Sequence, residues 1–296
     1  MKFFRYILPM LFILSCVDEV PFVSEDTEPQ GMVVHAFLNP DSLVRVSLAR
    51  VSNVSEPYVW IADAQVSLKK KNTVENILSY LHDGQYTGIQ NFGPNDSVKV
   101  RILHSLYSGE MNLKIPSRVW IKGIDTFSSL VGTVGKTKSY RIHFKDSAYN
   151  RNFYRIYGVK TLKKYELDGF GKVIDSTIYT EKMSIGGTEI PFLRNVYNTY
   201  STKEIMFSDE TFNGVNAKFV VYETLNKPLA RGITLLYTDF YLENITEEMY
   251  QYLNSRNAHL WQQSSITQLP TKILGNLGKA YGVICAFTST KYRITY

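Results

Sequence analysis

An alternation of apolar and polar residues with a period of two, which begins at residue 31, constrains the fold more than any other feature. Val44, Val46 and Leu48 stand at every second position, and similar segments recur along the chain. Residues two apart share one face of a β-strand, so the pattern predicts half-buried strands. The 21 Tyr and 16 Phe of the 296 residues are types that strands favour. We therefore expect a mainly β protein.

Two β-rich parts are predicted. Turn residues recur at short intervals in residues 31–125, which indicates an immunoglobulin- or transthyretin-like β-sandwich. Residues 126–296 are expected to form a second antiparallel β-rich domain with one short helix. Thr246 is suited to cap this helix, with two glutamates following it, and the helix is expected to end near Asn254-Ser255. Whether the parts are separate domains or one unit stays open.

The first 15 residues have the layout of a lipoprotein signal peptide. A basic start is followed by an apolar run that ends at Cys16. This run is much shorter than the ~20 residues that cross a bilayer. Residues 13–16, Ile-Leu-Ser-Cys, resemble a bacterial lipobox, so we expect cleavage before Cys16 and its lipidation with palmitate-type chains. The alternative is a plain secreted protein with a chance cysteine.

An acidic tether is predicted for residues 16–30, because acids and prolines accumulate there without a basic residue. Asp18 and Glu19 stand where the surface-export signal of Bacteroidota lipoproteins would be read. The alternative is an ordinary polar linker. The expected location is the outer membrane, with the lipid-anchored body facing the cell surface.

The sequence contains none of the motifs typical of known catalytic or metal sites, so we predict no catalytic residue, metal ligand or cofactor. The five histidines are far apart in sequence, and no helix-borne zinc motif or Gly-x-Ser-x-Gly stretch occurs. Cys285 lies in a terminal apolar strand, where a buried inert thiol is expected. The formal net charge is +6, and the one run of three lysines lies at 69–71. We therefore predict no nucleic-acid partner.

Paired carboxylates are the one catalytic pattern that sequence spacing does not exclude, because such pairs are defined by distance in space. Asp146, Asp209 and Glu210 are the candidates. The preferred interpretation is a structural turn. In that turn Asp209 accepts backbone N–H bonds, and Asn213 and Gly214 adopt positive φ.

Several short blocks carry a family resemblance. They are the lipobox, residues 144–146 (Phe-Lys-Asp), 152–154 (Asn-Phe-Tyr), 207–214 (Phe-Ser-Asp-Glu-Thr-Phe-Asn-Gly) and 276–278 (Asn-Leu-Gly). Together they resemble the Bacteroidota outer-membrane lipoprotein family described as domain of unknown function four-two-four-nine, over essentially the whole mature chain. The resemblance implies a partner of a TonB-dependent receptor and no established catalytic residue.

The leading hypothesis is a non-enzymatic outer-membrane lipoprotein that helps a TonB-dependent receptor capture or take up a ligand. Binding would use the tether, a docking surface, and aromatic or loop contacts from residues 184–203. The ligand is not identified. One alternative is a surface adhesin or envelope-assembly accessory, and the other is a surface hydrolase that uses the carboxylates named above.

Overall fold

A computed structural model describes residues 31–51, 59–131, 135–148, 150–187, 203–210, 212–224, 229–263 and 272–296. The predicted lipidation site Cys16, the export residues Asp18 and Glu19, and most of the loop at 184–203 lie outside these ranges. None of the helices in the described ranges has both the length and the apolar character needed to cross a membrane.

The described residues form strands and a single α-helix, as the mainly β prediction requires. The strands are β1 Met32–Leu38, β2 Val44–Arg50, β3 Val59–Trp60, β4 Gln65–Lys70, β5 Asn76–Ile77, β6 Ser79–Tyr80, β7 Gln85–Gly88, β8 Ser97–His104, β9 Tyr107–Lys114, β10 Ile121–Val131, β11 Gly135–Lys145, β12 Phe153–Leu167, β13 Val173–Lys182, β14 Ile185–Gly187, β15 Ile205–Ser208, β16 Asn216–Glu223, β17 Ile233–Ile245 and β18 Tyr281–Thr295. The helix is α1, Glu247–Gln263.

The first part of the chain is a two-sheet sandwich with an aliphatic core. Strands β1 and β2 belong to one sheet, and the other sheet has the order β5-β4-β8-β9. The alternating apolar residues of both sheets point inward and form one buried cluster. Val44, Val46 and Leu48 are all in it, as their spacing predicts.

The second part is also built from two facing sheets, but its core is aromatic. Strands β13-β12-β17-β18 of the largest sheet pack against the four-stranded sheet β10-β11-β16-β14. The Phe144 ring lies between the two sheets, with its centroid 5.3 Å from that of Tyr154 and 5.5 Å from that of Phe219.

The largest sheet joins the two parts. Strand β1 pairs in parallel with the first half of β18, from Val33 opposite Tyr281 to Leu38 opposite Ala286. The second half of β18 pairs antiparallel with β17. Ile284 therefore lies in the first core although it is near the end of the chain. The proposed division between residues 125 and 126 falls inside β10.

Helix α1 begins where it was predicted but continues well past Asn254-Ser255, to Gln263. The stretch after Ser255 contains no Gly or Pro that would end a helix. Thr246 precedes the helix, and its carbonyl accepts the Tyr250 N–H at 3.0 Å. The hydroxyl of Thr246 accepts from Ala286 N at 3.4 Å, so the helix start is attached to β18.

The hairpin β12–β13 ends in a turn that Asp168 organises. Its carboxylate accepts the N–H groups of Phe170 and Lys172 at 2.9 and 2.8 Å. The residue with positive φ in this turn is Gly171, with φ of 84°. The Asp168 side chain fixes the first half of the turn, so the left-handed residue comes at its end.

Candidate functional site

The carboxylates singled out in the sequence divide into a buried pair and an exposed residue. Asp146 follows β11 and Asp209 follows β15, and both side chains are buried. Glu210 is exposed and pairs with Arg151. The fold thus brings Asp146 and Asp209 together and leaves Glu210 outside.

A single amide bridges the two buried carboxylates. Asn152, at the start of β12, donates from Nδ2 to Asp146 Oδ1 at 3.2 Å and to Asp209 Oδ2 at 3.0 Å. The carbonyls of Ser147 and Asn150 also lie within 3.2 Å of the same nitrogen. Four oxygens therefore surround one amide nitrogen, which holds the ends of β11, β12 and β15 together.

Both carboxylate oxygens of Asp146 accept hydrogen bonds in this network. Its Oδ1 also accepts from the Tyr154 hydroxyl, and its Oδ2 accepts the Gly214 N–H at 2.7 Å. Burial and the bond to Asp146 raise the pKa of Tyr154 well above the usual tyrosine range. A carboxylate that accepts three bonds in a buried site has no room for a substrate, so this geometry suits a structural role.

Asp209 is less well satisfied. Its Oδ2 accepts the backbone N–H of Asn152 at 2.9 Å, but Oδ1 is buried and has no hydrogen-bond partner among the described residues. Burial, together with the charge of Asp146, raises the pKa of Asp209. Burial therefore favours the protonated form of this carboxyl group.

The turn predicted around these residues differs in detail from its expected form. The Asp209 carbonyl, not its side chain, accepts the Phe212 N–H at 2.9 Å. Positive φ occurs at Gly214, with a value of 78°, and not at Asn213. The side chain that bonds to this turn is Asp146, through Gly214 N. Its position 68 residues away hides that contact from any local pattern.

The possible metal ligands and Cys285 do not form a site in the described part of the chain. No cluster of three or more His, Cys, Asp or Glu side chains that could hold a metal ion occurs within the described part of the chain. Cys285 is buried, and its burial raises the pKa of the thiol, as expected for an inert cysteine.

A second arrangement, which the sequence did not reveal, lies on the outer face of the largest sheet. Tyr157 of β12 is opposite Tyr241 of β17, and their rings stack with centroids 4.8 Å apart and planes at 9°. Lys182 Nζ lies 4.6 Å from the Tyr157 ring centroid, and the Arg293 guanidinium lies 3.6 Å from that of Tyr237. We call this surface the tyrosine face. Its members are Arg155, Tyr157, Lys182, Glu204, Tyr237, Asp239, Tyr241, Glu243, Lys291 and Arg293.

Three of the four basic side chains of the tyrosine face are hydrogen-bonded to an acid, and the fourth, Lys291, lies 3.8 Å from Asp239. Arg293 makes a bidentate pair with Asp239 at 2.7 and 2.8 Å. Arg155 Nε donates to Glu243 at 2.6 Å, and Lys182 Nζ donates to Glu204 at 2.9 Å. These bonds fix long cationic side chains that would otherwise be mobile.

The acids of the tyrosine face lie deeper than the bases. The side chains of Glu204, Asp239 and Glu243 are 11%, 9% and 2% exposed, whereas those of Lys182, Arg293 and Lys291 are 35%, 43% and 48% exposed. Positive charge is therefore outermost, although the acids beneath it balance much of the total.

The pKa shifts of the acids reflect their depth. The hydrogen bond from Arg293 lowers the pKa of Asp239. Burial opposes ionisation of Glu204, but the Lys182 bond and the charges of Arg155 and Arg256 outweigh it, and the pKa is lowered. At Glu243 burial prevails over the Arg155 charge, and the pKa is raised.

The tyrosine face is not recognisable in the sequence, because its members come from distant strands. Within each strand the signal was present: Asp239, Tyr241 and Glu243 alternate on one face of β17, and Lys291 and Arg293 do so on β18. An alternation of polar and aromatic residues indicates an uncovered face. The register between the strands, which no local pattern supplies, decides which residues meet.

The comparison with protein families gives one match. The model of a family described as Domain of unknown function (DUF4249) matches residues 17–293. That match spans nearly the whole chain and confirms the resemblance of the sequence blocks to this domain of unknown function. No curated protein matches the chain.

Proposed function

We propose that this chain, which belongs to the DUF4249 family, is a lipid-anchored, non-enzymatic binding protein of the outer membrane that serves a TonB-dependent receptor. The proposed attachment is a lipid on Cys16, with the acidic tether between the membrane and the body. In this proposal the tyrosine face holds an acid-bearing ligand for the receptor.

The observation that carries the binding role is the layering of charge on the tyrosine face. Lys182, Lys291 and Arg293 are the most exposed charged groups there, and buried acids orient at least two of them. A ligand carboxylate would meet cations that are already positioned, so little side-chain entropy is lost on binding. The stacked tyrosines form a flat, stiff floor between these cations.

The buried carboxylate pair supports binding over hydrolysis. General acid–base chemistry needs a carboxyl group within hydrogen-bond reach of the substrate. Asp146 and Asp209 are covered by the strands they join, and Asn152 lies between them. Glu210 is exposed and pairs with Arg151, whereas the other two carboxylates are buried.

Charge reversal on the tyrosine face tests the binding role. We expect Lys291→Glu and Arg293→Glu to lower retention of acidic peptides and acidic glycans on the immobilised full chain at least tenfold. Lys164→Glu is the matched control, because Lys164 is an exposed lysine on the opposite face of β12. Equal losses of retention in all three variants would mean that net charge alone explains binding, and would contradict a specific site.

Affinity purification of the tagged full chain from mildly solubilised outer membranes tests the receptor and the anchor. A co-purifying β-barrel receptor, lost in Cys16→Ala cells, is the expected result. Recovery of the chain alone across several detergents would contradict the receptor role. Unchanged membrane fractionation of Cys16→Ala would contradict the lipid anchor.

A further inference from the structure

Strand β13 forms one edge of the largest sheet. Within the described ranges it pairs with β12 alone, from Val159 opposite Lys182 to Leu167 opposite Val173. Every second residue of β13 therefore directs its N–H and C=O away from β12. An edge of ten residues whose outward backbone groups have no strand partner within the described ranges is a template for another strand.

This edge lacks several of the usual protections. No Pro or Gly interrupts β13, and the only irregularity in its pairing, between Glu166 and Leu167, lies at the hairpin end. Four apolar side chains are exposed on it: Val173 by 50%, Ile174 by 65%, Ile178 by 60% and Tyr179 by 37%. Exposed apolar residues on an unpaired edge strand indicate an interaction surface.

The sequence of β13 is symmetric about Ser176. Ile174 and Ile178 are two positions away on either side, and Val173 and Tyr179 are three positions away. The flanking pair between them, Asp175 and Thr177, is polar. The strand thus reads apolar, apolar, polar, Ser, polar, apolar, apolar in either direction.

We propose that β13 pairs antiparallel with β13 of a second copy of this chain, about a two-fold axis at Ser176. In that register each residue faces its symmetry mate on the same side of a continuous sheet. Ile174 meets Ile178 of the second copy, and Val173 meets Tyr179 of the second copy. Both contacts occur twice.

Neighbouring registers are worse. A two-fold axis perpendicular to the sheet lies midway between one residue and its own symmetry mate, so alternative registers differ in which residue is central. A centre at Thr177 places the Asp175 carboxylate opposite the Tyr179 ring. A centre one residue later places Asp175 opposite Glu181, which is a repulsive pair. A centre at Asp175 leaves Tyr179 opposite Gly171.

The backbone orientation also fits. Tyr165 N–H donates to Gly232 O at 2.7 Å, on the β17 side, so it points away from β13. Ser176 is opposite Tyr165 and must point its own N–H outward. That N–H is bonded to the exposed Asp175 side chain at 2.6 Å, and a strand partner would replace this bond. With Ser176 outward, Ile174 and Ile178 are outward too, so all three can form reciprocal backbone bonds.

Site-specific cross-linking tests the register on the full chain in intact cells. Asp175 of one copy is expected to face Thr177 of the other. Co-expression of differently tagged Asp175→Cys and Thr177→Cys chains should therefore give a mixed disulfide on mild oxidation. Each variant alone should give at least fivefold less. Equal cross-linking in all three cases, or in none, would overturn the proposed register.

A matched pair of lysine substitutions tests the association itself. Ile178 and Thr177 are both exposed, and each faces a lysine of β12, Lys163 or Lys164. We expect Ile178→Lys to lower the mixed disulfide at least tenfold, because it puts a charge opposite Ile174. Lysine at 177 would face Asp175 of the second copy, so Thr177→Lys, read by chemical cross-linking, should preserve or increase the dimer. Similar behaviour of both variants, with unchanged thermal unfolding, would overturn the proposal.

Discussion

The two cores of this protein solve the same packing problem with different side chains. The first is built largely from Val, Leu and Ile, with Tyr86 and Phe92 as its buried aromatic residues. The second contains Tyr140, Phe144, Tyr154, Phe207, Phe219 and Phe240. Both cores are closed by the same C-terminal strand, β18, so the difference lies in composition and not in separation along the chain.

Aromatic packing brings polar groups inside. The hydroxyl of Tyr140 donates to Glu223 at 2.6 Å, and Lys160 pairs with the same carboxylate at 2.5 Å. The Tyr154 hydroxyl likewise bonds to Asp146. In the first part Ser67 alone appears among the buried polar residues that the structure describes. A tyrosine-rich core therefore depends more on hydrogen-bond networks than a largely aliphatic core does.

The largest expected effect comes from removing a ring at the centre of the second core. Phe144→Ala should lower the free energy of unfolding by about 4 kcal/mol, because the ring contacts several aromatic neighbours. Leu48→Ala in the first core should cost about 3 kcal/mol. Urea unfolding of the full chain measures both. A smaller cost for Phe144 than for Leu48 would contradict the view that the second core is centred on this ring.

Substitutions of the two buried carboxylates should have different effects on the free energy of unfolding. Asp146→Asn should cost about 2 kcal/mol, because both oxygens of Asp146 accept hydrogen bonds and an amide would turn a donor toward a donor. At pH 4 Asp209→Asn should change stability by less than about 0.5 kcal/mol, since one oxygen accepts both bonds and the other has no partner in the described residues. Equal costs in thermal or urea unfolding would remove this distinction.

The pH dependence of the free energy of unfolding tests the raised pKa of Asp209. Because the pKa of Asp209 is raised in the folded state, its contribution is fully present below the unfolded value of about 3.9 and is lost as the pH rises through the folded pKa. Asp209→Asn should therefore gain stability relative to the wild type as the pH rises above 4. Unfolding curves at pH 4 and pH 7 measure the change, and parallel pH profiles would contradict it.

The smallest effect is expected from hydroxyl removal in the first part. Ser67 donates to Glu75 at 2.5 Å, and Ser67→Ala should cost about 0.5 kcal/mol because the Glu75 carboxylate can be solvated. In the second part Thr290→Val should cost about 1.5 kcal/mol, since it leaves the Val119 carbonyl, which Thr290 reaches at 2.7 Å, without that donor. Equal costs would weaken the distinction between the cores.

Much of the local structure was predictable because it depends on near neighbours. The alternation of Val44, Val46 and Leu48 predicted a strand at β2 and its buried face. The acidic start of α1 was recognisable from Glu247 and Glu248. Its C-terminal limit was not, because no Gly or Pro stands between Ser255 and Gln263, and packing at Met249 and Leu253 stabilises the helix from one side.

By itself the sequence determined the β class, the family and the strands, because side-chain alternation and short motifs act within a few residues. The tertiary structure alone decided that β18 joins both cores, that Asn152 bridges Asp146 to Asp209, and that Tyr157 stacks on Tyr241. Each of these depends on strand order and register. Those are set by the packing of residues far apart in the chain, and no local pattern encodes them.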